Sequence, residues 1–175
     1  MALITFQDLP STQTPINSTN LNNNFNAVSK VIGVKLNSDF TVTNTNGESL
    51  IPFTSIVLNN DTNNEFFQLN QDNTITCKKA GLVEVSCQIT YTPTVQGGNY
   101  SAPRIYKKHG NTNNFIASYD MRPYNATRQQ TAYLSRVIEV EANDLVMIFF
   151  GNYSGSQCVI KSNGESTSLH VKYIS

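Results

Sequence analysis

The chain has 175 residues, enough for one medium domain and a short appendage. Hydrophobic residues make up 39% of it and charged residues only 14%, with 12 Lys and Arg balanced by 12 Asp and Glu. One full core is therefore available, but the basic footprint that nucleic acids or anionic membrane surfaces require is absent. Polarity comes instead from neutral amides and hydroxyls, 23 of them on asparagines.

No run reaches the roughly 18 apolar residues of a membrane span. The opening Met1–Asp8 has neither a basic region nor a long apolar core, so no secretory signal is expected. The N-x-S/T triplets at Asn17, Asn60, Asn99, Asn125 and Asn152 are accordingly not read as glycosylation sites. Cys77, Cys87 and Cys158 are odd in number and widely spaced, without the His pair of a zinc site. They read as buried small hydrophobes in a chain made in a reducing cytoplasm.

In chain order, residues 1–17 are apolar and then punctuated by Pro10 and Pro15, which forbid a helix and favour an extended arm. Residues 18–35 carry Leu21, Phe25, Val28 and Ile32 at spacings of four, three and four, a heptad stripe that Ser18 or Asn17 can cap and Gly33 can end. So short a helix, interrupted by Asn22, Asn23, Asn24 and Asn26, needs a partner for its stripe. That partner is either the following domain or further copies of the helix in a coiled-coil stalk. Residues 36–50, Thr- and Asn-rich, look too loose to fold it back and favour copies; they read as a linker with one short strand near Phe40–Thr43.

From residue 51 to 175 the period is two. Strands are expected around Phe53–Leu58, Phe66–Leu69, Asn73–Cys77, Leu82–Thr92, Arg104–Lys108, Phe115–Tyr119, Gln130–Val140, Leu145–Phe150, Gln157–Lys161 and Ser168–Ile174. In Leu82–Thr92, Val83, Val85, Cys87, Ile89 and Tyr91 make one face and Glu84, Ser86, Gln88 and Thr90 the other. Turn signals fall at 59–64, 109–114, 141–144 and Asn163-Gly164. The expected class is all-β, a jelly-roll β-sandwich with a short N-terminal helix.

The order of elements from Phe53 onward resembles the tumour-necrosis-factor/C1q globular head. Ala80-Gly81-Leu82-Val83-Glu84-Val85 is similar to that family's "G-x-Y/F-x-V" strand, with Leu82 where an aromatic is usual. Ile105–Asn111 resembles its "L-x-K-N-G" hairpin, and Val140–Val146 its "L-x-x-G-D-x-V" turn, with Asn143 in place of Gly. The resemblance implies a homotrimer, one sheet of each protomer packed around a three-fold axis. Separately, the string Asp8–Asn22 resembles the start of tailed-phage appendage proteins of Gram-positive hosts: baseplate, tail-fibre and head-fibre components. It implies a virion protein, made in the host cytoplasm and acting outside the cell, anchored to other virion proteins through Phe6, Leu9, Pro10, Pro15 and Ile16.

No catalytic constellation is legible. His109 and His170 lack local nucleophile or carboxylate partners, and no hydrolase, zincin or phosphate-loop motif occurs. A glycosidase would need two carboxylates. No cofactor or metal is expected: Asn60, Asp61, Asn63 and Asn64 offer hard-cation oxygens but only one carboxylate, which favours a solvated turn. The best binding candidates are Tyr119, Arg122 and Tyr124, since Tyr and Arg anchor interfaces and aromatic faces beside amides suit saccharides. Tyr100 and Tyr153 are weaker ones. Two readings follow from the phage resemblance, an adhesive head for a host surface saccharide and a mainly structural head fibre or decoration protein.

Overall fold

The computed structural model describes residues 30–93, 100–121, 128–163 and 167–174. Among them there is no helix, and thirteen strands form two sheets. The first sheet holds β1 (Val31–Lys35), β2 (Phe40–Val42), β4 (Ser55–Asn59), β7 (Gly81–Thr92), β10 (Gln130–Val140), β12 (Cys158–Ile160) and β13 (Ser168–Tyr173). The second holds β3 (Gly47–Leu50), β5 (Phe67–Leu69), β6 (Ile75–Cys77), β8 (Ser101–His109), β9 (Thr112–Ser118) and β11 (Asp144–Asn152).

All pairings are antiparallel, and many join strands distant in sequence, as a jelly roll requires. In the first sheet β7 is central. One edge pairs β10 along the whole of Gln130–Val140, and the other pairs β13 and then β12. Beyond β13 lie β1 and the edge strand β4. In the second sheet β11 is central, between β8 on one side and β6 and β3 on the other.

The period-two pattern decides which face is buried. Val83, Val85, Cys87, Ile89 and Tyr91 point inward and are at most 1% exposed. They meet Val146, Ile148 and Phe150 of β11, with the Tyr91 and Phe150 rings 5.1 Å apart. Burial pushes all three free thiols up to about 12, so Cys77, Cys87 and Cys158 behave as apolar packing groups.

The turns explain part of the asparagine content. Asn64, Asn73 and Asn143 adopt positive φ, the conformation that Asn tolerates best after Gly. Asn143, at φ 74°, holds the place where the resemblance expects glycine. The β8–β9 hairpin is tighter than the expected 109–114 loop. His109 pairs with Thr112, leaving Gly110 and Asn111 as a two-residue turn with Gly110 at φ 54°.

The N-terminal boundary needs correction. Val31–Lys35, expected within the helical stalk, is strand β1, and Ile32 is a core residue, 1% exposed, in register with Asn59 and Val171. Two periods overlap there. Ile32 ends the heptad stripe, but Ile32, Val34 and Leu36 also alternate, and β-branched residues facing an open sheet edge take the strand. Leu21, Phe25 and Val28 lie outside the described residues. The expected 36–50 linker also belongs to the sandwich, through β2 on β12 and β3 on β11.

The alternation expected over Phe53–Leu58 fails as well. Ile51 and Phe53 plug the core from a loop, whereas Ile56, Val57 and Leu58 are all exposed on the edge strand β4, whose register shifts opposite Gly33 and Val34.

Candidate functional site

Of the residues expected to bind ligand, Tyr119 is described and Arg122 and Tyr124 are not. Tyr119 follows β9, donates its N–H to the Pro103 carbonyl at 3.2 Å and leaves its side chain 53% exposed. It borders an open hollow of about 440 Å³ with Asp120, Met121, Gln130 and Thr131. Phe6, Leu9, Pro10, Pro15 and Ile16 also lie outside the described residues.

The titratable groups mostly serve turns. Asp61 is 1% exposed, and its carboxylate accepts the N–H groups of Glu65, Phe66 and Phe67 at 3.0, 2.7 and 2.9 Å. With both oxygens so engaged it organises the 61–67 turn. Among the described residues no group of three or more His, Cys, Asp or Glu is placed to hold a metal ion.

His109, without a partner nearby in sequence, meets Asp144 from 35 residues away, its Nδ1 2.7 Å from Oδ1. Asp144 Oδ2 accepts the Glu141 N–H at 2.9 Å and lies 3.3 Å from Lys107 Nζ. Burial works against the Asp144 charge, but these partners outweigh it and hold the carboxyl below its ordinary value. Asp144 and Glu141 raise the imidazole of His109. The arrangement ties the β10–β11 turn to the end of β8.

Two outward sheet faces are more distinctive. On the first sheet, the outward positions of the middle strands are polar: Ser86 and Gln88 on β7, Ser168 and His170 on β13. With Tyr133 and Cys87 these residues line a hollow of about 460 Å³. Apolar side chains flank that strip on both sides. On β10 they are Tyr133, 63% exposed, and Val137, 57% exposed; on β4 it is Leu58, opposite Gly33, while Ile56 and Val57 are exposed along the strand's edge. Gly33 keeps β1 low between them, since a Cβ there would stand 3.1 Å from Leu58 Cβ.

On the second sheet the outward face carries aromatic rings. The Tyr106 ring sits edge-on between Phe115 and Phe149, with centroids 5.6 and 5.2 Å away. The Tyr106 hydroxyl donates to Glu48 Oε1 at 3.1 Å, and Glu48 also pairs with Arg104. The Arg104 guanidinium lies over the Tyr153 ring at 5.3 Å, and Tyr153 packs on Tyr100 at 4.8 Å. Burial and then the Glu48 bond raise the Tyr106 phenol. Burial opposes the Arg104 charge, but Glu48 outweighs it and keeps the guanidinium protonated. Sequence reasoning noted Tyr100 and Tyr153 but missed Glu48, Arg104 and Tyr106, which come from strands more than 50 positions apart.

No protein-family model and no curated protein sequence matches the chain. Solved structures do match its fold. Murine APRIL at pH 8.5 superposes with a TM-score of 0.62 at 9% identity, covering 83% of this chain and 98% of that one. Murine APRIL at pH 8.0 gives a TM-score of 0.63 at 10% identity with the same coverage. The Eiger TNF of S. frugiperda gives 0.63 at 8% identity, over 85% of this chain and 92% of that one. At such identities the likeness concerns the fold alone: the described domain is a tumour-necrosis-factor-like jelly roll.

Proposed function

We propose that this chain is the subunit of a homotrimeric bacteriophage appendage, a non-enzymatic virion protein of fibre or baseplate type whose head binds a saccharide on the host surface. The observation that carries the assembly is the outward face of the β10-β7-β13-β1-β4 sheet. Tyr133 and Val137 stand exposed at one edge and Leu58 at the other, beside the exposed Ile56 and Val57 of the same edge strand, with a polar strip between. Two apolar patches at opposite edges of one face suit a heterologous contact, the β10 edge of one copy on the β4 edge of the next, which closes into a ring. The resemblance to the tumour-necrosis-factor/C1q head supports three copies in that ring.

The virion address rests on the resemblance of Asp8–Asn22 to phage appendage N-termini, with Phe6, Leu9, Pro10, Pro15 and Ile16 anchoring on other virion proteins and Leu21, Phe25 and Val28 extending the trimer as a stalk. The adhesive half rests on low charge, amide-rich turns and exposed tyrosines such as Tyr119. A mainly structural head fibre or decoration protein is the second reading. It is favoured by the buried carboxylates Asp61 and Asp144, which the fold itself consumes.

Sedimentation equilibrium tests the assembly: a mass of three times 19.4 kDa is expected, and a monomer at micromolar concentration would sink it. Adsorption of the protein to host cells, with immuno-electron microscopy of the particle, separates the adhesive from the structural reading.

A further inference from the structure

The outward face of the second sheet has features that sheet folding alone does not demand. An antiparallel sheet with one solvated face ordinarily turns polar side chains outward. Here the outward positions of β11 are Leu145, Met147, Phe149 and Gly151, and β8 lays Arg104 and Tyr106 beside them. The resulting surface is partly exposed, ring-rich and built around one ion pair.

Its geometry is pre-set. Tyr153 donates its N–H to the Tyr100 carbonyl at 3.1 Å, so backbone and ring stacking fix the two tyrosines together. Glu48 is held by Arg104 and by the Tyr106 hydroxyl, so carboxylate and guanidinium stand at fixed places beside the Tyr153 ring. Gly151 forms the floor. A Cβ there would come within 2.9 Å of Tyr153 Cε2 and 3.2 Å of Arg104 Nε, so only glycine lets both side chains lie down over the sheet. The Arg104 Nε–H beneath them has no acceptor among the described residues. Pre-fixed rings and polar groups lower the ordering cost of binding.

We infer that this surface, centred on Tyr100, Tyr153, Arg104 and Glu48, is a binding site for a neutral pyranose saccharide. The inference rests on the adhesive half of the proposed function and names the place where it acts. A pyranose offers an apolar C–H face and a rim of hydroxyls that both donate and accept. The tyrosine pair, with Tyr100 36% exposed, provides the platform for the face. The carboxylate and guanidinium supply planar acceptors and donors for neighbouring hydroxyls. Because Glu48 already neutralises Arg104, an anionic ligand gains little charge from the guanidinium and meets a carboxylate, which selects a neutral sugar.

The test uses the purified full chain and chemical-shift titration with the methyl pyranosides of glucose, galactose, N-acetylglucosamine and rhamnose, with glycerol phosphate as an anionic comparison. At least one methyl pyranoside is expected to bind with a Kd of about 1 mM, the scale for so few atoms. Glu48→Gln and Tyr153→Leu are expected to weaken it about tenfold or more with the fold intact by dispersion of the remaining amide signals, whereas Gln71→Ala, in the exposed β5–β6 turn, leaves it unchanged. Binding that survives Glu48→Gln and Tyr153→Leu but is lost in Tyr119→Ala overturns this site while leaving the adhesive reading standing. Tighter binding of glycerol phosphate overturns the neutral-sugar assignment. No binding of any glycoside, together with no adsorption to host cells, removes this site and the adhesive reading together.

Discussion

The two outward sheet faces use their exposed aromatic and aliphatic side chains in opposite ways. On the first sheet, Tyr133, Val137 and Ile56–Leu58 stand apart, each 36% exposed or more, and Tyr133 makes no ring–ring contact among the described residues. On the second, Tyr106, Phe115, Phe149, Tyr100 and Tyr153 pair with one another, and Glu48 and Arg104 fasten the network. Apolar surface left without an intramolecular partner is what the proposed assembly would cover with another copy. Apolar surface already organised within the chain is a platform for something small. In the proposed function, the same amino-acid types would serve assembly on one face and recognition on the other, according to whether the fold supplies their neighbours.

The sharpest way to break this contrast is to put charge on the first face. Tyr133→Glu with Val137→Glu is expected to dissociate the assembly, with the sedimentation mass falling to the 19.4 kDa of one chain and far-ultraviolet circular dichroism unchanged. A mass that stays at the trimer value would break the assembly reading. In that dissociated background, urea unfolding compares single truncations. Tyr106→Ala removes two ring contacts and the bond to Glu48 and is expected to cost about 2 kcal/mol. Val57→Ala on the first face is expected to cost under about 0.5 kcal/mol. Equal costs would erase the distinction.

A smaller effect is expected from Gly151→Ala. The added methyl pushes on Tyr153 and Arg104, costing about 1 kcal/mol by overpacking and changing the tyrosine near-ultraviolet signal. The smallest effect lies at the far end of the second sheet. The folded imidazole of His109 is raised above its ordinary 6.5, first by the bond to Asp144 and then by Glu141 and Asp144 charge, with burial and Lys107 opposing. Its contribution is therefore fully present below about pH 6.5 and lost as pH rises through the folded value. Thermal unfolding across that range should show a shallow decline that His109→Gln flattens.

Sequence alone went far with the strands. Gln130–Val140 has the expected bounds, and the inward and outward faces of β7 follow the alternation residue by residue. It went less far where two patterns overlapped. At Ile32 a heptad stripe and a period-two run share residues, and only the presence of β13 and β4 on either side shows that the strand prevails there. Of the second-sheet cluster it reached only Tyr100 and Tyr153, as separate weaker candidates, and not the groups that join them. Glu48 and Arg104 are 56 positions apart, and no local spacing signals that β3 and β8 flank the same strand β11.

The sequence by itself determined the all-β class, the alternation of the long strands and the turns that Asn143 and Gly110 permit, because side-chain period and backbone φ are local properties. Tertiary structure decided the N-terminal boundary of the sandwich, the pairing of His109 with Asp144 and the opposed characters of the two outward faces. The physical reason is that strand partners are chosen by burying complementary faces across the whole chain. What an outward residue touches depends on that choice and not on its sequence neighbours.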